Sequence, residues 1–323
     1  LVAENDTLYL SATDLALSTS LQYPAQVVSD GEITTPANHL LALIKAMSAD
    51  RCDLFVDENS LHVHAGKSKH RVQSSSVDDY PIIHSLPEHT QDISASAFLI
   101  AIEKVESAMS DNESRPYMRA ICSDDGALVA TDGARLATCE FQFPSMLIPR
   151  KAVERIKDFL DGFENSAVAV KDNRLYLKCA ENVMSAQLLD IKEFPPAWRT
   201  MIPPCVDRSA TVPKEALVEA LKRVALVVGD KIMGVYFKLD NGVLTLESEN
   251  PNLGSGVEEI EVAYNGRPTN LGIHCGNLRS LIETWPCQAL SFEFQADDSY
   301  PIIIRPEKNE GSAYFGLAMP MRM

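Results

Sequence analysis

Ile148 to Leu160 reads IPRKAVERIKDFL, and Ala167 to Leu177 reads AVAVKDNRLYL. In the first segment Val153, Ile156, Phe159 and Leu160 recur at the 3/4 spacing of one buried helix face, behind a Pro149 suited to the first helical turn. The second alternates apolar and polar residues across Lys171-Asp172-Asn173, as a half-buried hairpin does. This helix-then-hairpin unit occurs three times. Thr34 to Val63 runs TTPANHLLALIKAM and then CDLFVDENSLHV, with its turn at Asp57-Glu58-Asn59. Ile273 to Ile304 runs IHCGNLRSLIETW and then ALSFEFQADDSYPIII, with its turn at Asp297-Asp298-Ser299. Aligning Pro36, Pro149 and His274 sets a period of roughly 115 to 125 residues, the size of a domain and far longer than a solenoid repeat.

Each unit follows a set of strands. Leu1 to Ser20 turns at Glu4-Asn5-Asp6, Ala120 to Phe143 at Asp124-Asp125-Gly126, and Gly234 to Val262 at Asp240-Asn241-Gly242. One more helix precedes those strands in two repeats, at Ser96–Met109 and Pro213–Val228; the sequence starts too late for its counterpart in the first. A complete repeat therefore reads strand, helix, three strands, helix, three strands, an α+β unit with a helix pair on antiparallel sheets. Proline-bearing connectors at Leu86-Pro87-Glu88 and Pro203-Pro204 set the limits at 1–88, lacking its first strand and helix, 89–203 and 204–323.

The 323 residues and 46% hydrophobic content suffice for such cores. Apolar runs are strand-sized, so no membrane span is expected. The start at Leu1 has no signal-peptide pattern and suggests a trimmed N-terminus. Seven scattered cysteines without a CxxC pair read as reduced and mostly buried, which points to the cytoplasm. The formal charge of −16 argues against a surface coated with nucleic acid. The helical windows differ. Lys45, Arg51, Lys104, Arg150, Lys151, Arg155, Lys157, Lys214, Lys222, Arg223 and Arg279 outnumber Asp50, Glu103, Glu106, Glu154, Asp158, Glu215, Glu219 and Glu283, a local +3 that implies a mildly basic helical face.

Catalytic constellations are missing from the pattern: no P-loop, dinucleotide fingerprint or nucleophile elbow occurs. His62 and His64 share a strand face as metal ligands might, but no third ligand lies at suitable spacing, so no metal or other cofactor is expected. Asp132, before Gly133, reads as a turn former, and Asp78-Asp79 as a solvated turn. A chain of this size without recognisable chemistry favours a scaffold or a binder.

TDGARLA (Thr131–Ala137), EFPPAWRTMIP (Glu193–Pro203) and the terminal MPMRM (Met319–Met323), in order on a threefold repeat, resemble the bacterial DNA polymerase III beta subunit family of replicative sliding clamps. The resemblance covers essentially the whole chain. It implies a non-catalytic processivity factor, a head-to-tail homodimeric ring with helices lining a hole for duplex DNA and sheets outside, working in the cytoplasm on the nucleoid. It also implies partners that share one site: the replicative polymerase, the clamp loader and repair or translesion polymerases. Departures are visible. Ala134 stands where many members have His, Pro195-Pro196-Ala197-Trp198 alters the common Phe-Pro-Asp-Tyr stretch, the Phe141–Met146 loop is short, and the family's first strand and helix are missing.

Three sets of residues follow from the resemblance. Arg115, Tyr117, Arg150, Lys151, Arg155 and Lys157, with Lys45, Lys222 and Arg223, are expected to face DNA phosphates without reading bases. At the ring joint, Leu226 and Val227 are expected against His70 and Val72 of the other protomer, with Lys67, Lys69 and Arg71 facing Glu258, Glu259 and Glu261. The partner pocket is expected to gather Met118, Thr131, Gly133, Arg135, Leu136, Pro195, Met201, Leu317, Met319, Pro320, Met321 and Met323, with Arg135 and Arg322 as hydrogen-bond donors at its rim. Methionines suit a surface that must accept related but unequal peptides. Two other classes compete: a DNA-gripping enzyme or regulator, for which neither a base-reading helix nor metal carboxylates are found, and a structural repeat scaffold unrelated to DNA.

Overall fold

In the computed structural model, residues 1–57, 60–78, 80–81, 86–195, 198–229, 234–308 and 313–322 are described. Glu58, Asn59, Asp79, Pro196, Ala197 and Met323, each part of a reading above, lie outside them. The helices are α1 (Ala37–Ala46), α2 (Ala95–Val105), α3 (Arg150–Leu160), α4 (Lys214–Val228) and α5 (Cys275–Ile282). The hairpins form because their turns can. Asn5-Asp6, Asp125-Gly126, Asp172-Asn173 and Asn241-Gly242 each place two successive residues at φ between 47° and 78°, the geometry that matches strand twist and that Asn, Asp and Gly tolerate best.

Several expectations need correction. Pro36 and Pro213 are the N-cap residues of α1 and α4, with extended ψ of 110° and 120°, one position before the first helical turn. Pro149 likewise ends the strand Met146–Pro149. That strand is the fourth between α2 and α3, where three were expected; the run Met146-Leu147-Ile148 is too short to read apart from the helix that follows it. In α3, Val153, Ile156 and Leu160 are buried as the spacing requires, and Phe159 is half-buried. The positions that match Val153, Ile156 and Leu160, namely Leu40, Leu43 and Met47, are only half-buried against the three-stranded sheet, and the additional Leu41 and Ile44 stay exposed.

The chain divides into two compact units, Leu1–Ala95 with Phe159–Gln187, and Ser96–Asp158 with Leu188–Met323. These do not follow the three repeats, because strands of one repeat pair with strands of the next. In the first unit an eight-stranded antiparallel sheet runs Gly31–Glu32, Val2–Glu4, Thr7–Thr13, Leu17–Pro24, Asn182–Gln187, Arg174–Cys179, Asn165–Lys171, Gln91–Ser94. Its joint pairs Leu17–Ser20 with Val183–Ala186, so Ser18 lies opposite Ser185. A separate three-stranded sheet, Asp53–Asp57, Ser60–Ala65 and Ser68–Gln73, packs Leu61, Val63 and Val72 with Ile33 and, from α1, Leu40 and Leu43. Its other face carries His62, which stacks on Phe55 at a ring distance of 5.0 Å, and His64, which meets the same ring edge-on at 4.6 Å.

In the second unit a nine-stranded sheet joins the repeats in the same way. Arg135–Cys139 pairs with Tyr314–Ala318, so Leu136 lies opposite Leu317. A four-stranded sheet, Gly254–Glu261, Val243–Asn250, Gly234–Asp240 and Thr269–His274, carries α4, whose Leu217, Val218, Leu221 and Val224 are buried. All seven cysteines are free, with Cys52 and Cys205 exposed, Cys287 half-buried and the other four buried.

Candidate functional site

The loop Thr131–Arg135 is a compact hydrogen-bonded turn. Thr131 Oγ1 donates to the Arg135 carbonyl at 2.6 Å and accepts from the Gly133 amide at 3.1 Å. Asp132 Oδ1 accepts from the amides of Ala134 and Arg135 at 2.8 and 2.9 Å, so it forms the turn as its sequence context implies. Gly133 sits at φ 91°, where a side chain is strained, and a Cβ there would lie 3.9 Å from the Met118 methyl. The terminal segment seats against this loop. Met319 N donates to Ala134 O at 2.9 Å, and Met321 N donates to Gly272 O at 2.8 Å.

The structure thus brings Met118, Thr131, Gly133, Leu136, Leu317 and Met319 together. Leu136 and Leu317 are buried in one core cluster with Ile303, Phe194 and Trp198, so they form a floor beneath the surface. Met319 is 41% exposed above it. Met201 is exposed and Pro195 half-buried, on either side of Trp198 along the connector; Pro320 and Met321 are half-buried and Arg322 is exposed. Trp198 is a residue whose role the sequence did not signal. It anchors the connector through its indole N–H to Asp124 at 3.2 Å, and Arg199 stacks on its ring at 4.1 Å while pairing with the same carboxylate. Burial, followed by the Asp124 charge, pushes the nearby Cys122 thiol up to about 12, which disfavours the thiolate.

Arg135 does not stand at a rim. Its side chain is 10% exposed, pairs with Asp132 at 3.0 Å, and donates to Asn277 O at 3.2 Å and to Ser280 Oγ. It bolts the loop to α5, and nothing in the spacing of Asn277 and Ser280 announces that contact. The same α5 is capped by His274, whose Nδ1 accepts from Asn277 N at 3.1 Å. Burial first, and then the Arg135 charge, lowers the His274 pKa below the ordinary histidine value.

The expected phosphate-facing bases are mostly engaged with acids. Arg150 meets Asp111 at 3.2 Å, Arg155 meets Asp158 at 2.7 Å, and Lys157 meets Glu106 at 2.6 Å. Lys222 bridges Glu219 and Glu283 at 3.0 and 3.3 Å. Arg115 contacts the Met118 sulfur, Lys45 and Lys151 are exposed, and Tyr117 packs on the core. Arg223 grips Glu258 of its own chain with two bonds of 2.8 and 2.6 Å. Of the joint residues, Leu226 is 79% exposed, while Val72 is a core residue of the three-stranded sheet. Lys67, Lys69, His70, Arg71, Glu259 and Glu261 are exposed. Surface cavities of about 420 and 340 Å³ lie elsewhere and take in only Glu261 from these sets.

Models of the N-terminal, central and C-terminal domains of the DNA polymerase III beta subunit match residues 1–84, 92–196 and 199–322 in that order. The chain belongs to this family. The beta sliding clamp of Pseudomonas aeruginosa is 27% identical to it over 338 residues, spanning 100% of this chain and 91% of the relative. The Caulobacter vibrioides clamp is 26% identical over 344 residues, with the same coverage. A solved P. aeruginosa sliding clamp bound to griselimycin superposes with a TM-score of 0.90 at 26% identity, covering 100% of this chain and 90% of that one. These findings support the sliding-clamp reading over a scaffold unrelated to DNA, and with it a fold of three clamp domains. Among the described residues no helix is long and apolar enough to cross a membrane.

Proposed function

We propose that this beta-subunit family member is a processivity factor whose domains, 1–88, 89–203 and 204–323, close as a head-to-tail homodimer around duplex DNA. The polymerase, the clamp loader and translesion polymerases dock by short motifs at the Thr131–Arg135 loop and the Met319–Met323 tail. The protein adds no catalysis of its own and works on the nucleoid in the cytoplasm. One observation carries the ring. Two joints between repeats are made inside the chain, and the pattern leaves Ser68–Gln73 and Gly254–Glu261 as sheet edges in the equivalent positions. A free edge is a template for another strand, and a closed ring satisfies it.

Charge supports the same pairing. Lys67, Lys69 and Arg71 belong to one edge, Glu259 and Glu261 to the other, and exposed Leu226 adds apolar area. Glu258, on the same edge, pairs with Arg223 within the chain. The test is sedimentation together with retention on DNA. The protein should run as a dimer and stay on nicked circular DNA but slide off linear DNA. Leu226→Ala with Val227→Ala should give folded monomers that are retained on neither. Equal retention of the wild type on both DNA forms would sink the ring.

A further inference from the structure

The joint between the first two repeats reproduces the partner-docking loop bond for bond. Thr13 Oγ1 donates to Leu17 O at 2.8 Å and accepts from the Leu15 amide at 3.0 Å, as Thr131 does with Arg135 and Gly133. Asp14 Oδ1 accepts from the amides of Ala16 and Leu17 at 3.1 and 2.7 Å, as Asp132 does with Ala134 and Arg135. Gln187 N donates to Ala16 O at 2.7 Å, the counterpart of Met319 N on Ala134 O. Ser18 opposite Ser185 therefore takes the place of Leu136 opposite Leu317, and Tyr176 that of Ile303.

The backbone is shared, but the chemistry is reversed. Where the docking loop has a floor of leucines, this joint has two buried serines hydrogen-bonded to each other at 2.7 Å, and the buried Arg174 donates to Ser185 Oγ at 3.2 Å. The same guanidinium bonds the carbonyls of Leu15 and Ala16 at 2.9 and 3.2 Å, which locks the loop. At the position of Gly133 stands Leu15, 71% exposed and held at φ 74°, a conformation that disfavours a leucine. Its side chain projects where the docking loop is bare. Gln187 replaces Met319 and ties its side-chain amide to Asn173 O at 2.9 Å.

We propose that Leu15, Ser18, Arg174, Ser185 and Gln187 are exclusion residues. They close a second copy of the docking site to apolar peptides and hold each protomer to one partner. To seat an apolar side chain this floor would have to break the bonds that satisfy its already buried serines and guanidinium, whereas on Leu136 and Leu317 such a side chain gains contact area. The inference rests on the docking reading above.

Titration calorimetry with a Gln-bearing peptide that carries Leu and Phe anchors tests it, alongside hydrogen exchange of the full-length wild type. One peptide should bind per protomer, and it should slow exchange at Gly133 and Met319 but not at Leu15–Leu17 or Gln187. The variant Leu15→Gly/Ser18→Leu/Arg174→Ala/Ser185→Leu/Gln187→Met should bind two, the second within about tenfold of the first. Two peptides on the wild type, or slowed exchange at both joints, would overturn the proposal, as would a folded variant that still binds one. Should the variant not fold, the exchange pattern of the wild type decides alone. No binding at all would instead defeat the docking reading itself, and this inference with it.

Discussion

Replacing Arg135 by Ala separates two readings of that residue. As a rim donor it would matter to partner peptides and little to folding. In the structure its guanidinium is 10% exposed and the Asp132 carboxylate 15% exposed, and the pair is completed by Asn277 O and Ser280 Oγ. Removing one member of a buried pair costs about 3–5 kcal/mol, because the other charge is left without compensation. Asp132 keeps two backbone amide donors, and the Ser280 hydroxyl keeps its bond to Gly276 O, so the loss is softened. The Asn277 carbonyl loses a donor, for which roughly 1–3 kcal/mol is typical. We expect Arg135→Ala to lower unfolding stability by about 2–4 kcal/mol in urea titrations followed by circular dichroism. Arg135→Lys should fall between, since an ammonium cannot span all three partners. A stability within about 0.5 kcal/mol of wild type, the range of an ordinary surface change, together with lost peptide binding, would refute the bolt and restore the rim.

Other outcomes follow from the same contacts. The folded-state pKa of His274 is depressed, so the unfolded chain binds the proton more readily; stability should be fully present above the ordinary histidine value of 6.5 and fall as pH drops below it. Comparing urea midpoints at pH 7.5 and 5.5 checks this, and His274→Asn, which keeps an N-cap acceptor, should flatten the difference. Reversing Arg150, Lys151 and Arg155 to Glu should weaken DNA retention equally on all sequences; because Arg150 and Arg155 already face acids, the salt slope of the wild type should fall short of about 0.9 per base counted. A marked sequence preference would count against non-specific phosphate contact. Deleting Met319–Met323 removes the two backbone bonds to Ala134 and Gly272 and should abolish peptide binding while the dimer persists in sedimentation. Unchanged affinity would move the pocket elsewhere.

What the residues decided alone was local. Asp172-Asn173 and Asn241-Gly242 turn their hairpins because those side chains accept left-handed backbone, and that preference needs no tertiary contact. The spacing of Val153, Ile156 and Leu160 names the buried face of α3 in the same way, and Thr131-Asp132-Gly133 builds its turn from bonds within five residues. Repetition of such local units exposed the threefold plan.

Tertiary structure decided which partners distant residues meet. Lys157 and Glu106 lie 51 positions apart, Arg223 and Glu258 35 apart, and Arg135 and Ser280 145 apart; Glu258 stands outside the helical windows, so counting charges on helices overstated what is left for phosphates. α1 carries the same apolar spacing as α3 but only half-buries it, because burial depends on what packs against a face as well as on the face. Ser18 and Leu136 occupy matching places in matching sheets, yet the register that sets one against Ser185 and the other against Leu317 comes from strands 167 and 181 residues on. Local chemistry shapes a turn or a helix face within a few residues, whereas a joint is a property of two surfaces that only folding brings into register.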